Sequence, residues 1–208
     1  MKTIAVIGAA GQTGIEVVKL ALANGFAVRG LDLRRGNLPD NPRFTFIQGS
    51  ALDPNDVTKT IQGCDVVVSE LGTPFGSRST LVSEGNRTIV ECMTQLGMKR
   101  LITQSAFGAL ESRSKLPFYL RIIANSPLMN AMYVDKDRME EIVTQSKLEW
   151  TIVRPIVLTN QAPKHHFRAA EDLTFDFTAH IGRADVAEFI LIEIEQRQFI
   201  GRKVTVTY

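Results

Sequence analysis

Three glycines near the start of the chain have the spacing of a loop that holds phosphate groups. Gly8, Gly11 and Gly14 follow an apolar run at residues 3–7 and precede residues 15–23, whose apolar side chains recur at helical spacing. Glycines allow a sharp turn after a strand, a close approach of phosphate to the backbone, and tight packing of a helix on a strand. Because free N–H groups at a helix start attract anions, we expect a dinucleotide pyrophosphate here. The residues predicted to contact it are Gly8, Ala10, Gly11, Gln12, Thr13 and Gly14.

Charged side chains after the next strand-like stretch, residues 26–33, bear on which dinucleotide is bound. Asp32 lies at the end of that stretch, and Arg34 and Arg35 follow it. A carboxylate there accepts hydrogen bonds from the adenosine ribose and favours NAD(H), whereas a guanidinium pairs with a 2′-phosphate and favours NADP(H). The two signals conflict, and the arginines can also be solvated loop charges.

Two adjacent histidines, His165 and His166, lie in the polar stretch 160–172. Imidazole titrates near neutral pH, so either could donate a proton or contact a substrate, but adjacent histidines on a polar loop are more often simply exposed. Cys64 and Cys92 have no Cys or His neighbours at a metal-binding spacing. We therefore expect two buried free thiols and no metal site.

Strand-like and helix-like segments alternate along the whole chain. This alternation predicts an α/β fold in one domain over residues 1–208: a three-layer, doubly wound parallel sheet with helices on both faces. The long loop at residues 160–172 is expected on the substrate side of the sheet. Strands are predicted at residues 3–7, 26–33, 44–47, 65–68, 99–104, 150–153 and 203–207, and helices at 15–23, 54–61, 79–96, 128–146 and 184–196.

Composition narrows the classes of partner. The 208 residues are 44% hydrophobic and 22% charged, with a formal net charge of +2. That small excess argues against a dedicated nucleic-acid binder. No apolar run approaches the ~20 residues of a membrane span. We expect a cytoplasmic protein that binds a small-molecule substrate, without nucleic-acid or membrane partners, as a monomer or weak homodimer.

Five short motifs carry a resemblance that covers nearly the whole chain. They are GAAGQTG at 8–14, QGSA at 48–51, ELGT at 70–73, SAF at 105–107 and TIVRP at 151–155. With these motifs the chain resembles an atypical short-chain dehydrogenase/reductase of the NAD(P)H-binding, NmrA-like group. It is similar in particular to the flavin reductase/biliverdin-IX-beta reductase type. The resemblance tips the cofactor expectation slightly towards NADP(H), with NAD(H) as the alternative.

The resemblance also implies site residues. Ser50 and Ala51 are expected to contact the adenine, and Leu71, Gly72 and Thr73 to line the path of the dinucleotide. Arg78 is expected to contact a phosphate or a substrate carboxylate. Ser105 is expected beside the nicotinamide and the substrate, and Pro155, Ile156 and Val157 in the nicotinamide pocket.

One departure from the resembled group concerns the proton donor. Short-chain dehydrogenases use Tyr-x-x-x-Lys, in which the lysine lowers the pKa of the tyrosine. Here Tyr133 takes the tyrosine position, Asp137 stands where lysine would, and Lys136 is expected to face another side of the helix. Ser105 and Tyr133 remain the candidate catalytic residues, although Tyr133 can also be a wall residue. Val157 stands where biliverdin-type relatives carry a histidine.

These features favour an NAD(P)H-dependent oxidoreductase that reduces a flat conjugated acceptor: a flavin, a quinone or a related carbonyl compound. Such acceptors can take a proton from solvent, so the enzyme contributes mainly proximity and orientation. Two alternatives stay open. One is a redox-sensing protein that binds NAD(P) without turnover, and the other is a sugar-nucleotide epimerase or dehydratase, for which the chain beyond Pro155 is short.

Overall fold

The computed structural model of the protein describes residues 2–74, 79–116, 118–173 and 178–208. Within these ranges the strands are β1 (Thr3–Ile7), β2 (Ala27–Asp32), β3 (Phe44–Gln48), β4 (Val66–Ser69), β5 (Arg100–Gln104), β6 (Glu149–Pro155), β7 (Leu158–Thr159), β8 (Arg168–Ala170), β9 (Ile181–Gly182) and β10 (Arg202–Thr207). The α-helices are α1 (Gln12–Ala23), α2 (Pro54–Ile61), α3 (Leu81–Gln95), α4 (Phe118–Ala124), α5 (Pro127–Gln145) and α6 (Arg183–Gln196), and a 3₁₀ helix covers Leu110–Lys115.

Eight of the described strands form one sheet in the order β3-β2-β1-β4-β5-β6-β10-β8. All neighbours in it run parallel except β8, which is antiparallel to β10. The strand order reverses between β1 and β4, and such a reversal opens a crevice at the carboxyl ends of the strands. The predicted doubly wound sheet in a single domain is confirmed.

Apolar side chains pack on both faces of this sheet. Along β1, Ile4 and Val6 join the buried cluster under α1 and α6, while Ala5 and Ile7 join the cluster under α2, α3 and α5. Successive side chains of a strand point to opposite faces, so a strand covered on both faces is apolar at every position. This is the physical reason for the continuous apolar runs, and it gives the three layers that were predicted.

Five elements differ from the expectations, and two of them are the short strands β7 and β9, which were not predicted. Strand β8 lies inside the stretch 160–172 that was predicted as a loop, so that prediction is wrong for residues 168–170. A short edge strand is held by hydrogen bonds to β10 on one side and needs no apolar run. The 3₁₀ helix and α4 were not predicted either. None of the helices in the described residues is both long and apolar enough to cross a bilayer.

Candidate dinucleotide and acceptor site

The loop between β1 and α1 has a backbone that only glycine can form at two positions. Gly8 has a φ of 82°, and a Cβ atom on it would lie 2.7 Å from the carbonyl oxygen of Glu70. A Cβ atom on Gly14 would lie 2.1 Å from the carbonyl oxygen of Gly8. Both distances are far below van der Waals contact, so the two glycines let the loop fold tightly against β4 and under the start of α1.

The start of α1 presents backbone donors without protein acceptors. Gly11 is the N-cap residue and has no side chain that could cap the helix; the first helical bond runs from the N–H of Ile15 to the oxygen of Gly11. Within the described residues, no acceptor is found for the amides of Gln12, Thr13 and Gly14. Unpaired N–H groups and the positive end of the helix dipole together form an anion site.

A cavity of about 520 Å³, which we term the dinucleotide groove, runs along the carboxyl ends of β1 to β4. Nine of the residues predicted to bind the dinucleotide line it. Thr73 does not line it, Gln12, Thr13 and Gly14 contribute through the helix start instead, and Arg78 lies outside the described residues. The predicted residues that line the groove are Gly8, Ala10, Gly11, Asp32, Arg34, Ser50, Ala51, Leu71 and Gly72. A glycine-rich loop with free amides beside a long groove fits the pyrophosphate of a nicotinamide dinucleotide.

Asp32 braces the glycine loop. Its carboxylate accepts hydrogen bonds from the backbone N–H of Ala10 at 2.9 Å and of Leu33 at 2.7 Å. These bonds use part of the acceptor capacity that a ribose would need. Asp32 therefore has a structural role in the loop as well as a place in the groove.

The two arginines after β2 are placed differently. Arg34 lines the groove, and within the described residues its guanidinium has no hydrogen-bond or ion-pair partner. Arg35 instead bonds to the carboxylate of Asp40 and the carbonyl oxygen of Pro39, and it is not part of the groove lining. The structure thus brings only Arg34 of this pair to the predicted cofactor site.

A second cavity, of about 320 Å³, lies at the carboxyl ends of β5 and β6, and we term it the acceptor pocket. Its walls are mainly apolar. The predicted nicotinamide and substrate residues line this pocket rather than the groove: Ser105, Tyr133, Pro155, Ile156 and Val157. Ser105 is 2% exposed, and its hydroxyl has no hydrogen-bond partner in the structure.

Tyr133 is held in the pocket wall. Its hydroxyl donates to the carbonyl oxygen of Phe107 at 3.3 Å, and the Arg113 guanidinium lies 5.1 Å from the centre of its ring. Burial raises the pKa of Tyr133, and the nearby charge of Arg113 only partly offsets this rise. Asp137, at the position of the usual lysine, instead pairs with Arg113 at 2.8 Å. These contacts favour a packing role for Tyr133.

Lys136, which was expected to face another side of the helix, also lines the acceptor pocket. The expectation was wrong because residues three apart share a helix face, as Tyr133 and Lys136 do here. Lys136 is 8% exposed, and within the described residues its ammonium group makes no hydrogen bond or ion pair. Burial lowers its pKa, while the carboxylates of Glu140, Glu70 and Asp135 act in the opposite direction.

The helix that carries Lys136 is fixed on both sides of that residue. Asp135 accepts hydrogen bonds from the backbone N–H of Val82 at 2.9 Å and of Ser83 at 3.1 Å, and so caps the start of α3. One turn after Lys136, Glu140 accepts a hydrogen bond from Nε of Arg154 on β6 at 2.9 Å. These two contacts tie α5 to α3 and to the sheet, and they set the place of Lys136 in the pocket wall.

Glu70 is a buried carboxyl at the end of β4. It is 7% exposed, it lines the dinucleotide groove, and neither of its carboxyl oxygens has a hydrogen-bond donor. Burial raises the pKa of Glu70 to about 8, although the charge of Lys136 opposes the rise. At neutral pH the carboxyl is therefore mostly the neutral acid.

Residues 8–197 match the model of a protein family that is described as NAD(P)H-binding. This match agrees with the geometry of the groove. The chain belongs to that NAD(P)H-binding family. This confirms the expected resemblance to a group of NAD(P)H-binding proteins.

Similar proteins and solved structures cover nearly the whole chain. A protein of Bacillus subtilis (strain 168), named uncharacterized sugar epimerase YhfK, is 25% identical over 209 residues, covering 97% of this chain and 92% of that protein. A short-chain dehydrogenase/reductase of Veillonella parvula DSM 2008, solved in complex with NADP, has a TM-score of 0.84 at 20% identity and covers 100% of this chain and 94% of its own. ChuY of Escherichia coli O157:H7, an anaerobillin reductase, has a TM-score of 0.79 at 18% identity over 99% of this chain and 96% of its own.

Sequence reasoning missed two polar site residues, Glu70 and Lys136. A carboxylate placed directly after the buried run of β4 was a usable signal for the first, because strand ends build the site in such sheets. The three-residue spacing from Tyr133 was a usable signal for the second.

The histidines of the polar loop lie elsewhere. His165 bonds through Nδ1 to Glu188 at 2.7 Å on α6, and its backbone N–H donates to Asp185 at 2.8 Å. It lines neither the groove nor the acceptor pocket, and His166 is exposed. These contacts fasten the loop to α6, which favours the structural interpretation over a catalytic one for this pair.

Proposed function

We propose that this protein is a reductase that delivers hydride from NAD(P)H, with NADP(H) preferred, to a flat conjugated acceptor such as a quinone, a related carbonyl compound or a flavin. The observation that carries the proposal is the position of the apolar acceptor pocket beside the dinucleotide groove. The groove ends at Leu71 and Gly72 after β4, and the pocket begins at Ser105 after β5, the next strand of the sheet. An acceptor in the pocket would lie next to one end of a dinucleotide in the groove, as hydride transfer requires.

The walls of the pocket suit a flat apolar molecule. Met129, Met132 and Ile156 line it, and methionine side chains adapt to the outline of a ring system. Ile123 of α4 extends the apolar lining to the surface, where it is 51% exposed. A volume of about 320 Å³ is at the small end of the range for ligand sites and has room for a few fused rings.

Bound NAD(P)H would supply the hydride. The chain itself would hold the dinucleotide phosphates with the amides at the start of α1, orient the acceptor against the apolar walls, and keep bulk water away from it. Ser105 and Lys136 are the polar groups that the pocket offers to an oxygen of the acceptor.

The preference for NADP(H) rests on Arg34. A free guanidinium on the groove wall can pair with a 2′-phosphate through two hydrogen bonds. Asp32 would disfavour that phosphate, but its carboxylate is already engaged with the backbone of the glycine loop. The relative solved with NADP supports the same choice, and the relative named as a reductase supports the reaction class. The resemblance to flavin reductases is the reason that flavins are kept among the acceptors.

Cofactor choice can be tested with a matched pair of variants, Arg34→Ala and Arg35→Ala, by calorimetric titration with NADPH, NADH, NADP⁺ and NAD⁺. Loss of a charge-assisted contact to a phosphate corresponds to roughly a 10- to 100-fold weaker affinity. We expect that loss for NADPH with Arg34→Ala and no change for NADH. Arg35→Ala is the control, because that side chain bonds to Asp40. Equal losses in the two variants, or none in Arg34→Ala, would contradict the assignment.

Turnover can be tested by stopped-flow oxidation of NADPH with FMN, menadione and 9,10-phenanthrenequinone as acceptors. Oxidation with at least one of them, at a rate that saturates with acceptor, is the expected result. Tight binding of NADPH with no oxidation by any acceptor would refute the reductase and favour the redox-sensing alternative. Interconversion of a UDP-sugar in place of net NADPH oxidation would favour the epimerase.

A further inference from the structure

Glu70 lacks the partners that an ionised carboxylate needs. In the register of β4 and β5, Ser69 pairs with Thr103, so the next position places Glu70 beside Gln104. The side-chain oxygen of Gln104 also has no donor, and neither have the two oxygens of Glu70. Buried oxygens at neighbouring positions cannot satisfy one another as acceptors, but a protonated carboxyl supplies a donor. The local geometry therefore favours Glu70 as a neutral acid.

Lys136 is the charged group that acts on Glu70 among the described residues, although the two residues line different cavities. Glu70 lines the dinucleotide groove, and Lys136 lines the acceptor pocket. The carboxylates nearest to Lys136 along its own helix are committed elsewhere: Asp135 to the start of α3 and Glu140 to Arg154. Lys136 is thus a buried amine that no direct ion pair neutralises.

We infer that Lys136 gives a proton to the oxygen of a conjugated carbonyl acceptor and that Glu70 restores this proton to Lys136. The inference rests on the proposed reductase function and narrows its substrates to carbonyl compounds, quinones included, in preference to flavins. Lys136 is then a catalytic residue, because it contacts the acceptor. Glu70 acts through Lys136, to which it supplies the proton, and does not contact the acceptor.

The step balances in atoms and electrons. The acceptor gains a hydride on carbon, supplied by the reduced nicotinamide as that is oxidised, and the electron pair of its C=O π bond moves onto oxygen. In a quinone this carbon then loses its hydrogen to solvent as a proton while the second carbonyl oxygen takes up a proton, which gives the hydroquinone. An N–H bond of Lys136 breaks as the new O–H bond forms. The O–H bond of Glu70 then breaks as the N–H bond of Lys136 re-forms. Solvent returns a proton to the Glu70 carboxylate, so each turnover consumes one proton from water.

The protonation of Glu70 can be tested without cofactor or substrate. Difference infrared spectra of the protein between pH 6 and pH 10 should contain the C=O stretch of a protonated carboxyl that disappears as pH rises. That band should be missing in Glu70→Gln and retained in the control Glu141→Gln, an exposed carboxyl on α5. Identical difference spectra for Glu70→Gln and the wild type would overturn the inference.

Kinetics test the proton transfer itself. With menadione and saturating NADPH, Lys136→Met should lower kcat by about 100-fold, the usual scale of general acid catalysis, and leave the NADPH affinity within about 2-fold. The kcat for FMN reduction should fall much less than the kcat for menadione reduction, because flavin takes its proton from solvent. Lys147→Met, an exposed lysine just after α5, is the matched control and should behave as the wild type.

The pH profile separates a proton-supplying role of Glu70 from a merely structural one. Wild-type kcat for menadione should fall above pH 8, whereas Glu70→Gln should have a lower kcat without that break. A break that persists in Glu70→Gln, or equal losses with FMN and menadione in Lys136→Met, would refute the inference while the reductase stands. Absence of turnover by the wild type with every acceptor would instead refute the proposed function, and the inference with it.

Discussion

Replacing Glu70 by glutamine isolates the energetic effect of one buried carboxyl on folding. In the folded protein its oxygens have no donors, and burial raises the pKa from the ordinary value of 4.5 to about 8. In the unfolded chain the same carboxyl is hydrated and titrates near 4.5. Glutamine keeps the size and shape of the side chain but does not titrate, so the two proteins should differ in the pH dependence of their stability.

The sign and size of this difference follow from proton linkage. Below pH 4.5 the carboxyl is protonated in both states, and its favourable contribution is fully present. As pH rises from 4.5 to about 8, the unfolded chain has lost its proton while the folded chain retains it. The free energy of unfolding then falls by about 1.4 kcal/mol per pH unit, roughly 5 kcal/mol over the interval. Above the folded pKa no further stability is lost.

Urea-induced unfolding at several pH values from 5 to 9 measures this directly. We expect the free energy of unfolding of Glu70→Gln to rise relative to the wild type with increasing pH and to level off above pH 8. Titrating groups that do not interact with Glu70 cancel in that difference because both proteins contain them, whereas Lys136, which interacts with Glu70, does not. Glu141→Gln, an exposed substitution, should give a difference that does not depend on pH. A Glu70→Gln difference that stays constant over the whole range would refute the reasoning.

Three other predictions follow from close contacts. Gly14→Ala should destabilise the protein by about 3 kcal/mol in urea unfolding and abolish NADPH binding, because its Cβ would lie 2.1 Å from the oxygen of Gly8; unchanged affinity would contradict the loop assignment. Glu193→Gln should lower the free energy of unfolding by about 3 to 5 kcal/mol, because it removes the charge that pairs with the buried Arg100 at 2.6 Å. A loss below about 1 kcal/mol would disprove this. Tyr133→Phe should leave kcat within about 3-fold in the NADPH assay, because its hydroxyl bonds to backbone, and a 100-fold loss would restore it as the proton donor.

Much of the fold could be predicted because each signal was local. The apolar run of β1, the three glycines and the helical spacing after them lie within the first 23 residues. Strands covered on both faces are apolar throughout, so the sheet could be recognised strand by strand. Strand β8 could not be predicted, because its pairing with β10 depends on hydrogen bonds to a segment more than 30 residues away.

The candidate site was predictable in position but not in chemistry. The sequence indicated that Asp32, Arg34 and Arg35 all follow the second strand; the structure separates the free Arg34 from Arg35, which bonds to Asp40. For the proton donor, the sequence drew attention to Tyr133, whose hydroxyl the structure shows bonded to backbone. Whether a side chain is free to act depends on neighbours that are distant in sequence.

By itself, then, the sequence determined a phosphate-binding glycine loop in an α/β sheet, since turns, helix starts and strand patterns are encoded by neighbouring residues. Only the tertiary structure decided which polar groups are buried without partners. Glu70 after β4 and Lys136 on α5 are 66 positions apart, and burial gives each of them a pKa that no local pattern specifies. Desolvation is a property of the packed interior, so this part of the chemistry exists only in the folded chain.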